Sequence, residues 1–112
     1  MIPRRGDVVT VVYSGDYGKA RPAVIVQADP VSAQVDSLIV CLLTTTVRDA
    51  PLFRLTIEPT PENGLREVSQ AMIEKTGAVA RDKVGSAIGR LTDAQMDELG
   101  RRLAFVLGLQ DA

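Results

Sequence analysis

The stretch LIVCLLTTT, residues 38–46, decides the fold class of this chain. Its apolar centre contains no charged or turn-forming residue, which is typical of a strand that is buried on both faces. We predict a strand over Asp36–Thr45, with threonine hydroxyls at its end. A second β-branched run, Ala23–Ala28, follows the basic turn Gly18–Pro22. Arg21 therefore stands where a loop enters a second buried strand.

The rest of the chain predicts more short strands and one long helix. Further strands are expected over residues 8–13, 52–58, 69–76 and 86–89, and one helical turn over 79–84. No helix separates the early strands, so the order of elements does not suit βαβ units. We expect the α+β class, mainly β, with a small bent antiparallel sheet and a C-terminal helix in a single domain, residues 1–112.

The C-terminal helix has clear start and stop signals. Thr92 is a good N-cap, and Gln95 completes a capping box. Leu91 and Met96 stand at the two positions of a hydrophobic staple. Apolar residues then recur at helical spacing on one face, and Gly108 is a plausible stop. The pattern predicts an amphipathic helix packed on the sheet.

Composition excludes several functional classes. The 112 residues include 13 basic and 14 acidic side chains, so the formal net charge of -1 does not favour nonspecific nucleic-acid binding. The single cysteine, Cys41, can form no internal disulfide, which fits a reduced cytoplasmic setting and a buried, unreactive thiol. The longest apolar run is far shorter than the roughly 20 residues that span a bilayer, and no signal peptide is recognisable.

The absence of histidine narrows the possible chemistry further. It removes Ser-His-Asp and Cys-His catalysis and most catalytic zinc sites, and we expect no metal or cofactor. Arg21 at a strand entrance and Thr44 at a strand exit are suited to holding one phosphate group. The alternative for Arg21 is a surface residue paired with Asp16 or Asp29, and the alternative for the threonines is simple strand propensity.

Several segments, in order, resemble the MazF/PemK family of toxin ribonucleases. They are Arg5–Val9, Arg21–Val26, Leu43–Thr46 followed by Pro51, Ser69–Thr76, and Ile88–Thr92 leading into the helix. The resemblance spans roughly Arg5 to Leu109. One such motif is weak, but the ordered set is fairly specific.

The resemblance implies a fold, an activity and partners. The fold is an SH3-like barrel of twisted antiparallel strands with a C-terminal helix, assembled as a homodimer. The activity is metal-independent, sequence-specific cleavage of single-stranded RNA through its own 2′-OH. A cognate antitoxin normally blocks the site, and DNA is contacted only indirectly, through the antitoxin complex. No membrane is involved.

The resemblance also assigns residues. Arg21 falls on the family's catalytic arginine and Thr44 on its catalytic threonine. Glu74 falls where many members carry an aspartate of the RNA site. By its chemistry it is the natural candidate for the general base if it reaches the site, and the alternative is a solvated position on the strand face. Further RNA-binding residues are predicted around these positions: Asp16, Tyr17, Lys19, Thr45, Arg48, Ser69 and Lys75.

Two alternatives come from other functional classes. Related toxins with a similar barrel bind DNA gyrase and have no ribonuclease activity, and such a protein would depend on the end of its C-terminal helix. A non-catalytic SH3-like binding module would be harmless when expressed and indifferent to the loss of Arg21.

Overall fold

The computed structural model describes residues 2–12 and 19–111. This part of the chain forms seven strands and two α-helices. The strands are β1 (Asp7–Val12), β2 (Ala20–Ile25), β3 (Ser37–Thr44), β4 (Arg54–Ile57), β5 (Ser69–Met72), β6 (Gly77–Ala80) and β7 (Val84–Arg90). The helices are α1 (Asp29–Ser32) and α2 (Asp93–Val106), and 3₁₀ turns cover Ile73–Lys75 and Arg81–Lys83.

The sheet is antiparallel, and β3 is its central strand. The strand order is β4-β5-β3-β2-β1-β7, with β6 also beside β3. The first half of β3 pairs with β6, and its end pairs with β5 through Leu43 and Ala71. The sheet therefore divides in two where β3 changes its partner. The predicted α+β, mainly β class with a C-terminal helix is confirmed.

Apolar clusters cover both faces of the central strands. Because side chains alternate along a strand, Val24 and Cys41 point into one cluster, which Leu99 of α2 helps to close. Ala23 and Val40 point into a second cluster on the opposite face. Burial on both faces explains the apolar run in β3 from Val40 onward, whereas Ile39 is 40% exposed and departs from the prediction. The same packing holds the ends of β2 and β3 in place.

Helix α2 begins and ends as predicted. The Thr92 hydroxyl accepts the Gln95 N–H at 3.0 Å, and the Gln95 side chain accepts the Thr92 N–H at 2.9 Å. Gly108 has a φ of 74°, a left-handed conformation that suits glycine at a helix end. Met96 and Leu99 are the buried residues of α2 and pack into the core.

Two boundaries near the first site residue differ from the prediction. β2 starts at Ala20 and ends at Ile25, so Arg21 lies within the strand rather than at its entrance. The strand predicted over Ala23–Ala28 also ends early, and Asp29 begins α1, which has Pro30 in its first turn. Proline is tolerated there because the first helical N–H groups have no intrahelical acceptor.

The segment between β5 and α2 differs more. The predicted strand over residues 69–76 stops at Met72 and turns into the 3₁₀ helix Ile73–Lys75. The helical turn predicted over residues 79–84 was wrong in its first half, which belongs to β6, while a 3₁₀ turn covers Arg81–Lys83.

Within residues 2–12 and 19–111, each helix is too short or too polar to cross a membrane.

Candidate active site

A row of polar residues crosses four neighbouring strands. Val24 of β2 pairs with Cys41 of β3, and the same register continued along both strands sets Arg21 opposite Thr44. Thr44 is paired with Gln70 of β5, and Gln70 with Thr56 of β4. Directly opposed residues point to the same face, and neighbouring strands lie about 4.8 Å apart. Arg21, Thr44, Gln70 and Thr56 thus form one polar row.

Arg21 and Thr44 stand where the ladder between β2 and β3 stops. The last paired residue of β2 on this side is Ala23, and Pro22 before it has no N–H with which to extend the ladder. Arg21 is exposed and Thr44 is half-buried. The continued register therefore sets a cation and a hydroxyl side by side on neighbouring strands.

The Thr44 hydroxyl also shapes the loop after β3. Its oxygen accepts the backbone N–H of Thr46 at 3.1 Å, a local turn that leads the chain out of the strand. Because this bond uses a lone pair of the oxygen, the hydroxyl hydrogen stays available as a donor. An oriented hydroxyl donor beside an arginine is well suited to a phosphate group.

Glu74 is held by an arginine. Nε of Arg54 lies 3.0 Å from both carboxylate oxygens, and Nη2 lies 2.5 Å from one of them. The Arg54 side chain is 5% exposed and that of Glu74 is 26% exposed. Partial burial alone raises the pKa of Glu74, but the hydrogen bonds and charge of Arg54 outweigh it and bring the pKa below its ordinary value. Glu74 is therefore a weak proton acceptor.

The charges of Glu74 and Arg54 both act on the nearby thiol of Cys41. Burial raises the pKa of the Cys41 thiol to about 12. The thiol is fully buried within the first apolar cluster. Its high pKa leaves almost no thiolate at neutral pH, as expected for an unreactive buried cysteine.

A cleft of about 290 Å³ adjoins the polar row. The loop after β3 forms one wall with Arg48 and Asp49, β4 contributes Arg54, and α2 contributes Arg102. Arg102 donates from Nε to the Pro51 carbonyl at 2.9 Å. Arg54 and Arg102 are paired with Glu74 and Glu98, which lie outside the lining, so Arg48 and Asp49 are the other charged side chains of this cleft.

The other predicted RNA-binding residues fall into three groups. Lys19, Thr45, Arg48 and Lys75 are exposed. Ser69 is 3% exposed, and its hydroxyl donates to the Glu67 carbonyl at 3.0 Å. Asp16 and Tyr17 lie outside the described residues.

Comparison with known proteins identifies the family. Residues 4–107 match the PemK-like, MazF-like toxins of type II toxin–antitoxin systems. The chain belongs to this family. It is also 43% identical over 107 residues to a probable endoribonuclease MazF of Mycolicibacterium smegmatis, a match that covers 95% of this chain and 97% of that relative. It is thus a homologue of the MazF endoribonucleases.

Solved structures show the same fold. A mycobacterial endoribonuclease in complex with its cognate antitoxin matches 98% of this chain and 99% of its own, with a TM-score of 0.81 and 24% identity. A MazE–MazF complex from Deinococcus radiodurans matches 98% of this chain and 100% of its own, with a TM-score of 0.81 and 17% identity. At these identities the likeness is one of fold.

Proposed function

We propose that this chain is the toxin of a type II toxin–antitoxin pair and cleaves single-stranded RNA at short specific sequences. The family match over residues 4–107 and the 43% identical MazF relative support this function. The observation that carries it is the pairing register of β2 and β3, which sets Arg21 opposite Thr44 when it is continued beyond Ala23 and Leu42. A cation and a hydroxyl donor at that spacing suit a single phosphodiester.

The proposed reaction uses the nucleophile of the RNA itself. The 2′-oxygen attacks the adjacent phosphorus, its proton leaves, and the bond from phosphorus to the 5′-oxygen breaks. The leaving 5′-oxygen takes up a proton, so the products are a 2′,3′-cyclic phosphate and a 5′-hydroxyl end. Neither a protein nucleophile nor a metal ion is required. The scheme suits a chain without histidine.

Arg21 and Thr44 have separate parts in this scheme. The planar Arg21 guanidinium donates to two non-bridging oxygens as negative charge builds on the phosphorane. The Thr44 hydroxyl, whose oxygen is already engaged by the Thr46 N–H, donates its hydrogen to the same phosphate. One preorganised donor of this kind typically contributes about 2.7–4 kcal/mol to transition-state stabilisation.

Glu74 has a different part in the proposal. Because its carboxylate is held by Arg54 and its pKa is lowered, we assign it to the placement of Arg54 in the wall of the cleft. The prediction that Glu74 is the general base stays open to the test described in the Discussion.

The partners follow from the family. We propose that the chain acts as a homodimer in the cytoplasm and that a cognate antitoxin blocks its RNA site. A mycobacterial endoribonuclease with a similar fold has been solved with its cognate antitoxin. DNA contact, in this proposal, passes through the antitoxin.

The decisive experiment measures RNA cleavage in EDTA. Wild-type protein is expected to cut a defined single-stranded RNA and leave 5′-hydroxyl ends, while Arg21→Ala slows cleavage about 10²- to 10³-fold. The matched control is Arg101→Ala, since Arg101 is an exposed arginine on α2, paired with Glu98. Intact RNA with well-folded wild-type protein contradicts the proposal. Growth arrest that survives Arg21→Ala but is lost when the residues after α2 are removed supports a gyrase-directed toxin instead.

A further inference from the structure

Gln70 stands next to Thr44 in the polar row and is almost fully buried. Its residue exposure is 4%, and it is paired with Thr44 on one side and Thr56 on the other. A buried amide needs partners for its oxygen and its NH₂ group. Within the described residues, the partners of this side-chain amide lie on the loop after β3 and on β4.

The Gln70 amide binds the backbone of Arg48 in both directions. Its Oε1 accepts the Arg48 N–H at 3.0 Å, and its Nε2 donates to the Arg48 carbonyl at 3.0 Å. The second Nε2 hydrogen goes to Thr56 Oγ1 at 3.1 Å. The two bonds to Arg48 resemble the pair of hydrogen bonds between opposed residues of two antiparallel strands. The side-chain amide of Gln70 thus attaches the loop after β3 to β5.

The hydrogen bonds from Gln70 hold the loop that carries the Arg48 side chain. Among the described residues, Arg54 is paired with Glu74 and Arg102 with Glu98, whereas no carboxylate is paired with Arg48. Arg48 is exposed and lines the cleft beside the polar row. Its guanidinium is therefore the cation of this cleft that remains available for an anion from outside.

We propose that Gln70 is a positioning residue of the RNA-cleaving site. By fixing the backbone of Arg48, it holds the Arg48 guanidinium beside Thr44, where it contacts the RNA strand next to the cleaved phosphate. The inference rests on the proposed function and adds to it a residue that touches no substrate. Misplacement of a positioned group by about 1 Å can cost about 100-fold in rate, so one side-chain amide is enough to control cleavage.

The chain contains a matched control. Gln27 is also a buried amide, with 6% exposure. Its Nε2 donates to the Ser37 carbonyl at 2.9 Å and to Ser32 Oγ at 3.1 Å, and its Oε1 accepts the Ile39 N–H at 3.3 Å. It ties the segment after β2 to β3, away from the polar row. Loss of this amide costs similar hydrogen bonds without moving Arg48.

The test compares Gln70→Met, Arg48→Ala and the double variant on a defined RNA with mapped cut ends. Gln70→Met and Arg48→Ala are each expected to lower kcat/KM about 10- to 100-fold. The double variant is expected to be no slower than Arg48→Ala, because Gln70 acts through Arg48. Gln27→Met is expected to cleave like wild type even where its unfolding midpoint falls.

Amide hydrogen exchange supplies a readout that does not depend on cleavage. Exchange of the Arg48 N–H is expected to accelerate in Gln70→Met and not in Gln27→Met. If Gln70→Met does not fold, Gln70→Glu replaces it, since the carboxylate still accepts the Arg48 N–H but cannot donate to the Arg48 carbonyl or to Thr56. Its kcat/KM is also expected to fall.

Several results overturn the proposal. The first is a Gln70→Met protein that cleaves like wild type. The second is a Gln70→Met substitution that slows cleavage by the same factor in the wild-type and the Arg48→Ala protein. The third is exchange of the Arg48 N–H that stays unchanged in Gln70→Met. Wild-type protein that cuts no RNA removes the proposed function and this inference together, whereas wild-type cleavage with an unaffected Gln70→Met removes this inference alone.

Discussion

The Arg54–Glu74 ion pair offers a direct test of the role of Glu74 in cleavage. We expect Glu74→Gln to lower the stability of the fold while leaving the RNA cleavage rate unchanged. A general base typically contributes about 10²- to 10⁴-fold to a rate, so its loss is easily distinguished from no change. The structure favours a loss of stability because Arg54 would remain buried without its counter-charge.

The expected loss of stability follows from the geometry. Removing one partner of a fully buried ion pair costs about 3–5 kcal/mol. The Glu74 side chain is 26% exposed, so water screens part of the interaction, and glutamine keeps one oxygen acceptor for Arg54. We therefore expect a loss of about 1–2 kcal/mol for Glu74→Gln. That is a fall of about 4–8 °C in Tm for a chain of this size.

Urea unfolding at a series of pH values provides the measurement. The pKa of Glu74 is lower in the folded than in the unfolded protein, so its contribution to stability is fully present above the unfolded-state pKa and is lost as the pH falls through the lower folded-state pKa. The loss of stability in acid should be shallower in Glu74→Gln. A double-mutant cycle with Arg54→Met isolates the pair.

The opposite result is equally clear. A Glu74→Gln protein that unfolds at the wild-type urea concentration but cleaves RNA about 100-fold more slowly refutes this reasoning. Glu74 then takes part in cleavage, as the predicted general base would.

Two further predictions concern packing. Gly64 has a φ of +70°, and a Cβ there would lie 2.1 Å from the Ile88 carbonyl oxygen, whereas a Cβ on Gly77 meets nothing within 4 Å. Gly64→Ala should cost about 2 kcal/mol or more and Gly77→Ala less than about 0.5 kcal/mol in urea unfolding; equal losses contradict this account. The buried Cys41 thiol, with a pKa of about 12, should resist iodoacetamide at pH 8 in the native protein and react once the protein is unfolded. Mass spectrometry measures the extent of labelling, and equal labelling of the two states contradicts the burial.

Local patterns predict some elements well and fail for others. The apolar run of β3 and the capping box of α2 are contained within short stretches, so the sequence alone reveals them. β6 has only Val79 as a large apolar residue, and its strand conformation comes from pairing with Leu38 of β3. α1 is missed because Asp29 and Pro30 are also typical of a strand end. The conformation of such elements depends on pairing between segments that are distant in sequence, and local propensity does not reveal that pairing.

The same contrast applies to the site. Arg21 and Thr44 are recognisable because they occupy motif positions at strand ends. Gln70 and Arg54 carry no such signal, because their partners Arg48 and Glu74 are 22 and 20 residues away in sequence. A strand-borne amide or arginine looks like an ordinary exposed residue until the register is known. Arg54 of β4 is buried and paired with Glu74, and the sequence of β4 alone does not show this.

The position of β1 between β2 and β7 has a consequence for synthesis on the ribosome. The segments that carry Arg21 and Thr44 are translated early, but β1 gains its second neighbour only when β7 has emerged, and Leu99 closes the core only after that. At about 5–20 residues per second, the delay is on the order of ten seconds. A half-made copy of this chain therefore lacks the core that supports Arg21 and Thr44.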